Sequence, residues 1–263
     1  MIKSNTVKQL FEAGKPAFGS WITLCPHPRV IGIFAAAGLD FVIIEMEHTD
    51  FNMETVGNLA MYARASGLTP FVRPPGTMKP HDLTRPLDAG AQGLLLPNIE
   101  TAQQMETIVK QTKYYPVGRR PMNLKGPHTD YHVSDPVEVT QHVNENLMLI
   151  AMIETRQAID NLEKICDVDG LDVIFIGPDD LSQDLGVPGQ LDHPILLEAT
   201  EEIFAICKSK SVSVGISCHN PEMVTKRIAQ GATWVPYQND AAMVFNTIMP
   251  VVPELMKIGG RDR

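Results

Sequence analysis

The feature that most constrains this chain is an alternation repeated along nearly its whole 263 residues: short β-branched or aromatic runs, each followed by a longer stretch with the apolar period of a helix. Runs that read as strands lie at 17–23, 41–47, 69–73, 93–97, 147–153, 173–176, 213–217 and 233–237. Helix-period segments fill the gaps at 28–37, 53–66, 80–89, 101–112, 156–166, 194–209, 221–229 and 241–257, and Gly38, Gly90 and Gly231 stop three of them. Most of the strand runs are apolar on both faces, as parallel strands buried under helices are. Repeated βα units in a chain of about 250 residues are the signature of a single-domain (β/α)8 TIM barrel spanning 1–263.

Two segments fall outside the rhythm. Residues 115–146 carry Pro, Gly, Asn and His without clear periodicity, and a loop of that length predicts a lid or a subunit contact with short helical pieces. Residues 257–263 read as a polar tail.

Composition excludes several classes of partner. With 44% hydrophobic and 20% charged residues the chain can bury an ordinary core. A formal net charge of -9, with no cluster of Lys and Arg, argues against nucleic acid. No N-terminal signal pattern and no apolar run near the roughly 18 residues of a membrane span stand out, so a cytoplasmic protein without a membrane partner is expected. Cys25, Cys166, Cys207 and Cys218 form no C-x-x-C pair, which points to free thiols rather than a zinc or redox site.

The C-terminal ends of barrel strands are where such folds assemble their chemistry. Here the second strand runs into Glu45-Met46-Glu47-His48, the third into Arg73-Pro74-Pro75, the fifth into Glu154 and the sixth into Gly177-Pro178-Asp179-Asp180. Glu154 and one of the paired aspartates could share a hard divalent cation, or could cap the turns that follow them; both readings stand. Arg73 ends an apolar strand and must pair with a carboxylate or meet an anionic ligand. His48, beside acids, suits a general base and equally a hydrogen-bonded structural role. The turn at Gly177-Pro178 could offer backbone amides to a carboxylate.

Taken together these strand ends resemble the HpcH/HpaI family of class II pyruvate aldolases. The likeness runs in order through Gly38–Ile44 into Glu47-His48, then Phe71-Val72-Arg73, Leu87-Asp88-Ala89-Gly90-Ala91, Tyr114 through Arg120, Met152-Ile153-Glu154-Thr155, Asn161-Leu162, and Phe175 through Ser182 followed by Leu185-Gly186. The resemblance implies that Glu154 and Asp180 hold a divalent ion (Mg²⁺, Mn²⁺ or Co²⁺) and that Arg73 holds the 2-oxo oxygen of the substrate. It further implies that His48, oriented by Asp88, moves the proton, and that backbone around Gly177, Pro178, Asp179 and Asp180 receives the pyruvate carboxylate.

The implied reaction joins or splits a 4-hydroxy-2-oxo acid, with pyruvate and an aldehyde as the small-molecule partners. The implied assembly is a homo-oligomer, a hexamer or trimer, with the C-terminal helix exchanged between subunits. Departures from the family pattern are Glu45 in place of Asp, Met152 in place of Gln and Pro121 in place of Gly, which bear on the second-substrate side, and Asp179 where a small residue is usual. Alternatives are a citrate-lyase-β-like or malyl-CoA-type lyase, which would need a basic cluster for CoA, and a non-catalytic 2-oxo-acid-binding barrel.

Overall fold

Parallel pairing runs unbroken from β1 (Ala17–Ile22) through β2 (Phe41–Glu45), β3 (Thr69–Arg73), β4 (Gly93–Leu96), β5 (Met148–Ile153), β6 (Val173–Ile176) and β7 (Ser213–Ile216) to β8 (Ala232–Asn239). β8 pairs back onto β1, so the sheet closes into the (β/α)8 barrel that the alternation predicts. The computed structural model describes residues 2–77, 79–132 and 134–261.

The apolar pattern of the strands divides between two cores. Along β2, Phe41 and Ile43 point into the barrel while Val42 and Ile44 face the helices, as strand geometry requires of successive residues. The interior is aromatic: Trp234 stacks on Phe41 at 4.6 Å and meets Phe71 and Phe175 edge-on at 5.3 and 5.5 Å. Room for these rings comes from residues without side chains, since a Cβ at Gly93 would lie 2.5 Å from the Phe71 ring.

Beneath the barrel, the helix Thr6–Glu12 is started by the Asn5 side chain and inserts Val7 into the interior core. The sequence pattern does not reveal this element, because seven residues span too few turns to show a period. The segment 156–166 is two short helices, Arg156–Asp160 and Leu162–Cys166, and the C-terminal stretch is likewise two, Asp240–Ile248 and Val251–Ile258, separated at Met249-Pro250.

In a βα repeat each helix runs back antiparallel to its strand, so helix ends and strand starts share the lower face. The segment between the helix Ala102–Thr112 and β5 therefore lies on that face, opposite the C-terminal strand ends. It contains the 3₁₀ turn Pro127–Thr129 and the helix Pro136–Asn146, and Lys113 and Asn144 tie it down through Nζ to Leu147 O and Oδ1 to the Tyr114 amide. It is not a lid over the cavity of its own chain. Val133 of this segment lies outside the described residues, as do Asp262 and Arg263 of the expected polar tail; Lys257 and Ile258 continue the last helix.

The C-terminal helices carry exposed Val244, Phe245, Ile248, Val251, Leu255 and Ile258. By length and composition alone Asp240–Ile258, with mean hydropathy 1.3, meets the measure for a membrane-crossing helix. The stretch without a charged residue runs only over 241–253, short of the roughly 18 residues of a membrane span.

His128 sits in the lower layer, 5% exposed, with Nε2 3.2 Å from the Tyr114 hydroxyl. Burial, helped by the positive charge of Arg120, holds its imidazole down at about 4. The unfolded chain takes up this proton near the ordinary value of 6.5, and the folded chain only near 4. Stability is therefore full above 6.5 and falls as pH drops through that window, by about 2 kcal/mol between neutrality and pH 5. In His128→Gln, urea unfolding measured at both pH values should show that difference shrink; an undiminished difference would mean that His128 does not stay neutral.

Candidate active site

At the C-terminal ends of the strands a cavity of about 340 Å³ opens. Arg73 enters it from β3, Glu154 from the end of β5, and Asp179 and Asp180 from the turn after β6. Glu45 and His48 come from β2 and the loop behind it. The other wall belongs to β7, β8 and β1, with Ser217, His219, Gln238, Asn239, Trp21 and Thr23.

Glu45, 1% exposed, organises the β2–β3 side. Its Oε2 accepts from Arg73 Nε at 2.5 Å, and its Oε1 accepts from the backbone amides of Glu47 and His48 at 2.6 and 3.1 Å. Arg73 also faces Glu47 Oε2 at 3.3 Å and lies 4.9 Å over the Trp21 ring, whose Nε1 donates to Ser217 Oγ at 3.1 Å. Of the two fates open to Arg73, the ion pair is made, and the guanidinium still lines the cavity.

Glu154 is 4% exposed and receives the Asn98 amide on Oε2 at 3.0 Å. Burial pushes its carboxyl up to about 7, against the Asn98 hydrogen bond and with the help of the negative charges of Asp180 and Glu47. Glu47 is raised for the same leading reason, burial, which outweighs the opposing charge of Arg73. Glu154 does not cap the next helix, since Thr155 does so through the Ala158 amide, and the helix Pro178–Asp184 starts at Gly177 with no side-chain cap. Capping thus accounts for neither acid. The close approach of the two strand ends requires glycine at 177, because a Cβ there would lie 2.7 Å from Glu154 Cγ.

The donor set fits a hard divalent ion. Among the described residues no group of three or more His, Cys, Asp or Glu is arranged around one point, so an ion would rest on Glu154 and Asp180 and complete its shell with water and ligand oxygens. The negative charge of Asp180 raises the proton affinity of Glu154, as expected of an acid placed beside a second one at such a site.

Several sequence expectations are redrawn. Gly177 N–H donates to Ile153 O in the sheet ladder and Pro178 has no N–H, so in the turn only the amides of Asp179 and Asp180 are left to meet a carboxylate. Asp88 ends the helix Pro80–Asp88 on the lower face and pairs there with Arg120 Nη2. It cannot orient His48 of its own chain, and such a contact would have to come from a second copy. The charged neighbour of His48 is Glu47, with Oε2 3.8 Å from Nε2, and the His48 side chain is 65% exposed.

Of the four departures from the family pattern, Glu45, Met152 and Asp179 line the cavity, whereas Pro121 follows Arg120 on the lower face and does not. Trp21 and Asn98 were missed. Trp21 has the inward parity of Gly19 on β1, which would have placed it; the Asn98 amide carries no sequence signal.

Comparison with known proteins agrees with this geometry. Residues 18–246 match the family model described as HpcH/HpaI aldolase/citrate lyase. A 4-hydroxy-2-oxo-heptane-1,7-dioate aldolase of Klebsiella pneumoniae is 32% identical, covering 92% of this chain and 90% of its own. Among solved structures, an HpcH/HpaI aldolase from Desulfitobacterium hafniense superposes with TM-score 0.92 at 28% identity, covering 97% of this chain and 98% of its own. The citrate synthase SbnG does so with TM-score 0.87 at 29% identity and the same coverage. With the family model spanning the barrel and relatives alike over nine-tenths of their length, the chain belongs to the HpcH/HpaI aldolase/citrate lyase family and is a carbon–carbon lyase.

Proposed function

We propose that this lyase is a divalent-metal-dependent aldolase that cleaves or forms 4-hydroxy-2-oxo acids, with pyruvate and an aldehyde as the other side of the reaction. The observation that carries this reading is Glu154, a buried carboxylate crowded by Asp180 and Glu47 at the end of a barrel strand. Glu154 and Asp180 would hold the ion, Mg²⁺, Mn²⁺ or Co²⁺. When bound, the ion would supply Lewis-acid polarisation of the keto acid.

The chain's own residues account for the rest. Arg73, held in place by Glu45 and Glu47, aims fixed positive charge at the oxygen where negative charge grows as the C3–C4 bond breaks. His48 at the mouth takes the proton of the 4-hydroxyl as that bond's electrons move into the enolate, and returns a proton to C3 to give pyruvate. The amides of Asp179 and Asp180 would meet the substrate carboxylate. No lysine lines the cavity among the described residues, which accords with a route that needs no Schiff base. The exposed apolar side chains of the C-terminal helices suit a homo-oligomer, a trimer or hexamer, in which a neighbouring subunit covers them.

Pyruvate release from 4-hydroxy-2-oxo acids should disappear on exhaustive chelation and return with Mg²⁺, Mn²⁺ or Co²⁺; turnover that survives chelation would overturn the metal-dependent reading. Arg73→Ala should lower kcat by about 10²–10³-fold with the fold intact, and Arg73→Lys should recover part of that, because a point charge lacks the fixed fork. Near-normal turnover in Arg73→Ala would remove the residue from the chemical step. Gly177→Ala should displace Glu154 and weaken divalent-ion affinity by about tenfold or more in titration calorimetry; unchanged affinity would mean that Glu154 is not a ligand.

A further inference from the structure

The keto-acid half of the reaction uses side chains from β3, β5 and β6. In the closed barrel the wall left for the second substrate is formed by β7, β8 and β1, which are neighbours in that order. Its groups are Ser217, His219, Gln238, Asn239, Trp21 and Thr23.

One carboxylate outside the lining holds this wall. Asp240, 5% exposed, accepts the backbone amides of Thr23, Leu24 and Cys25 at 2.8, 3.0 and 2.8 Å and the Thr23 hydroxyl at 2.9 Å. These are the residues directly after β1, where the ladder to β2 has ended. Capping of the following helix falls to Asn239, through the Ala242 amide at 2.6 Å, and Asp240 takes only the adjacent Ala241 amide from that helix, at 3.0 Å.

The chain reaches this position through an irregularity in β8. Its register with β1 shifts between Gly19 and Trp21, and Gln238 adopts φ 51, a left-handed conformation that non-glycine residues rarely take. Gln238 is fastened there by its amide to Cys218 O at 2.9 Å and its Nε2 to His219 O at 2.8 Å. The kink turns Gln238 and Asn239 toward the cavity and brings Asp240 to the amides of the β1 loop. Backbone outliers held by surrounding bonds in this way cluster at functional sites.

We infer that Asp240 is a positioning residue for the second substrate: by binding the Thr23–Cys25 amides it fixes the β8–β1 wall against which the aldehyde is oriented, while it makes no hydrogen bond to Arg73, Glu154 or Asp180. The inference rests on the aldolase reading. Loss of the carboxylate leaves three amides without their acceptor, so the β1 loop and Thr23 move.

The test uses the full-length chain with its divalent ion and two assays. Exchange of the pyruvate methyl protons with solvent deuterium reports the keto-acid half alone, and condensation of pyruvate with glycolaldehyde reports both halves. In Asp240→Asn and Asp240→Ala the KM for glycolaldehyde should rise about tenfold or more, with the exchange rate and the KM for pyruvate unchanged. An unchanged glycolaldehyde KM, or exchange that falls in parallel with condensation, would overturn the inference while leaving the aldolase reading in place. Loss of fold in both variants by circular dichroism would make Asp240 merely structural and would also overturn it. Absence of both activities in the unmodified chain would overturn the aldolase reading and this inference with it.

Discussion

The buried carboxylate of Glu45 is the contact on which the site depends, because each of its oxygens fixes a different functional element. One holds Arg73, and the other gathers the amides of Glu47 and His48 into a tight turn at the end of β2. Removing one member of such a pair strands the other charge in the interior, at a cost of about 3–5 kcal/mol. Glu45 also stands where the family pattern has Asp. The additional methylene lets one side chain reach back to its own following amides and across to the neighbouring strand, so the departure is compatible with the arrangement the reaction needs.

Charge balance in the cavity supports the divalent ion proposed above. Arg73 is already matched by Glu45 and faced by Glu47, which leaves Glu154, Asp179 and Asp180 as the excess. A 2-oxo acid anion would meet net repulsion in this cavity unless a divalent cation joined it. Burial is the first cause of the upward displacement of both Glu154 and Glu47, and at Glu154 the negative charges of Asp180 and Glu47 add to it. A divalent ion and a proton would compete for the buried carboxylate of Glu154, and the ion would place positive charge next to the keto acid.

The barrel was legible in the sequence because a parallel strand buried on both faces leaves an unmistakable run of apolar residues, and each of the eight expected strands lies within about two residues of its observed ends. The strand-end acids, Arg73 and His48 were legible for the same reason: the end of a strand is visible as the end of the run. Contacts made by main-chain atoms were not. Nothing in the letters says that Gly177 N–H is spent on Ile153 O or that the Asn98 amide reaches Glu154. The family likeness names Asp88 without saying which copy of the chain supplies it; at the end of a helix that returns from β3 it lies on the lower face of its own barrel.

The two ends of the barrel thus carry different burdens, and the upper end is itself divided. Glu45 braces Arg73 and the amides of Glu47 and His48 behind β2, and Glu154 is held by the backbone amide of Asn98 behind β4. The opposite wall is braced by Asp240 and by the kink at Gln238. Nearly the same fold is found in a protein described as an aldolase and in another described as a citrate synthase. Both braces could diverge separately, because no hydrogen bond joins Asp240 to the acids that would hold the ion. A family can then keep the half that polarises a keto acid and vary the half that receives its partner, and on the aldolase reading the β8–β1 wall would set this chain's choice of aldehyde.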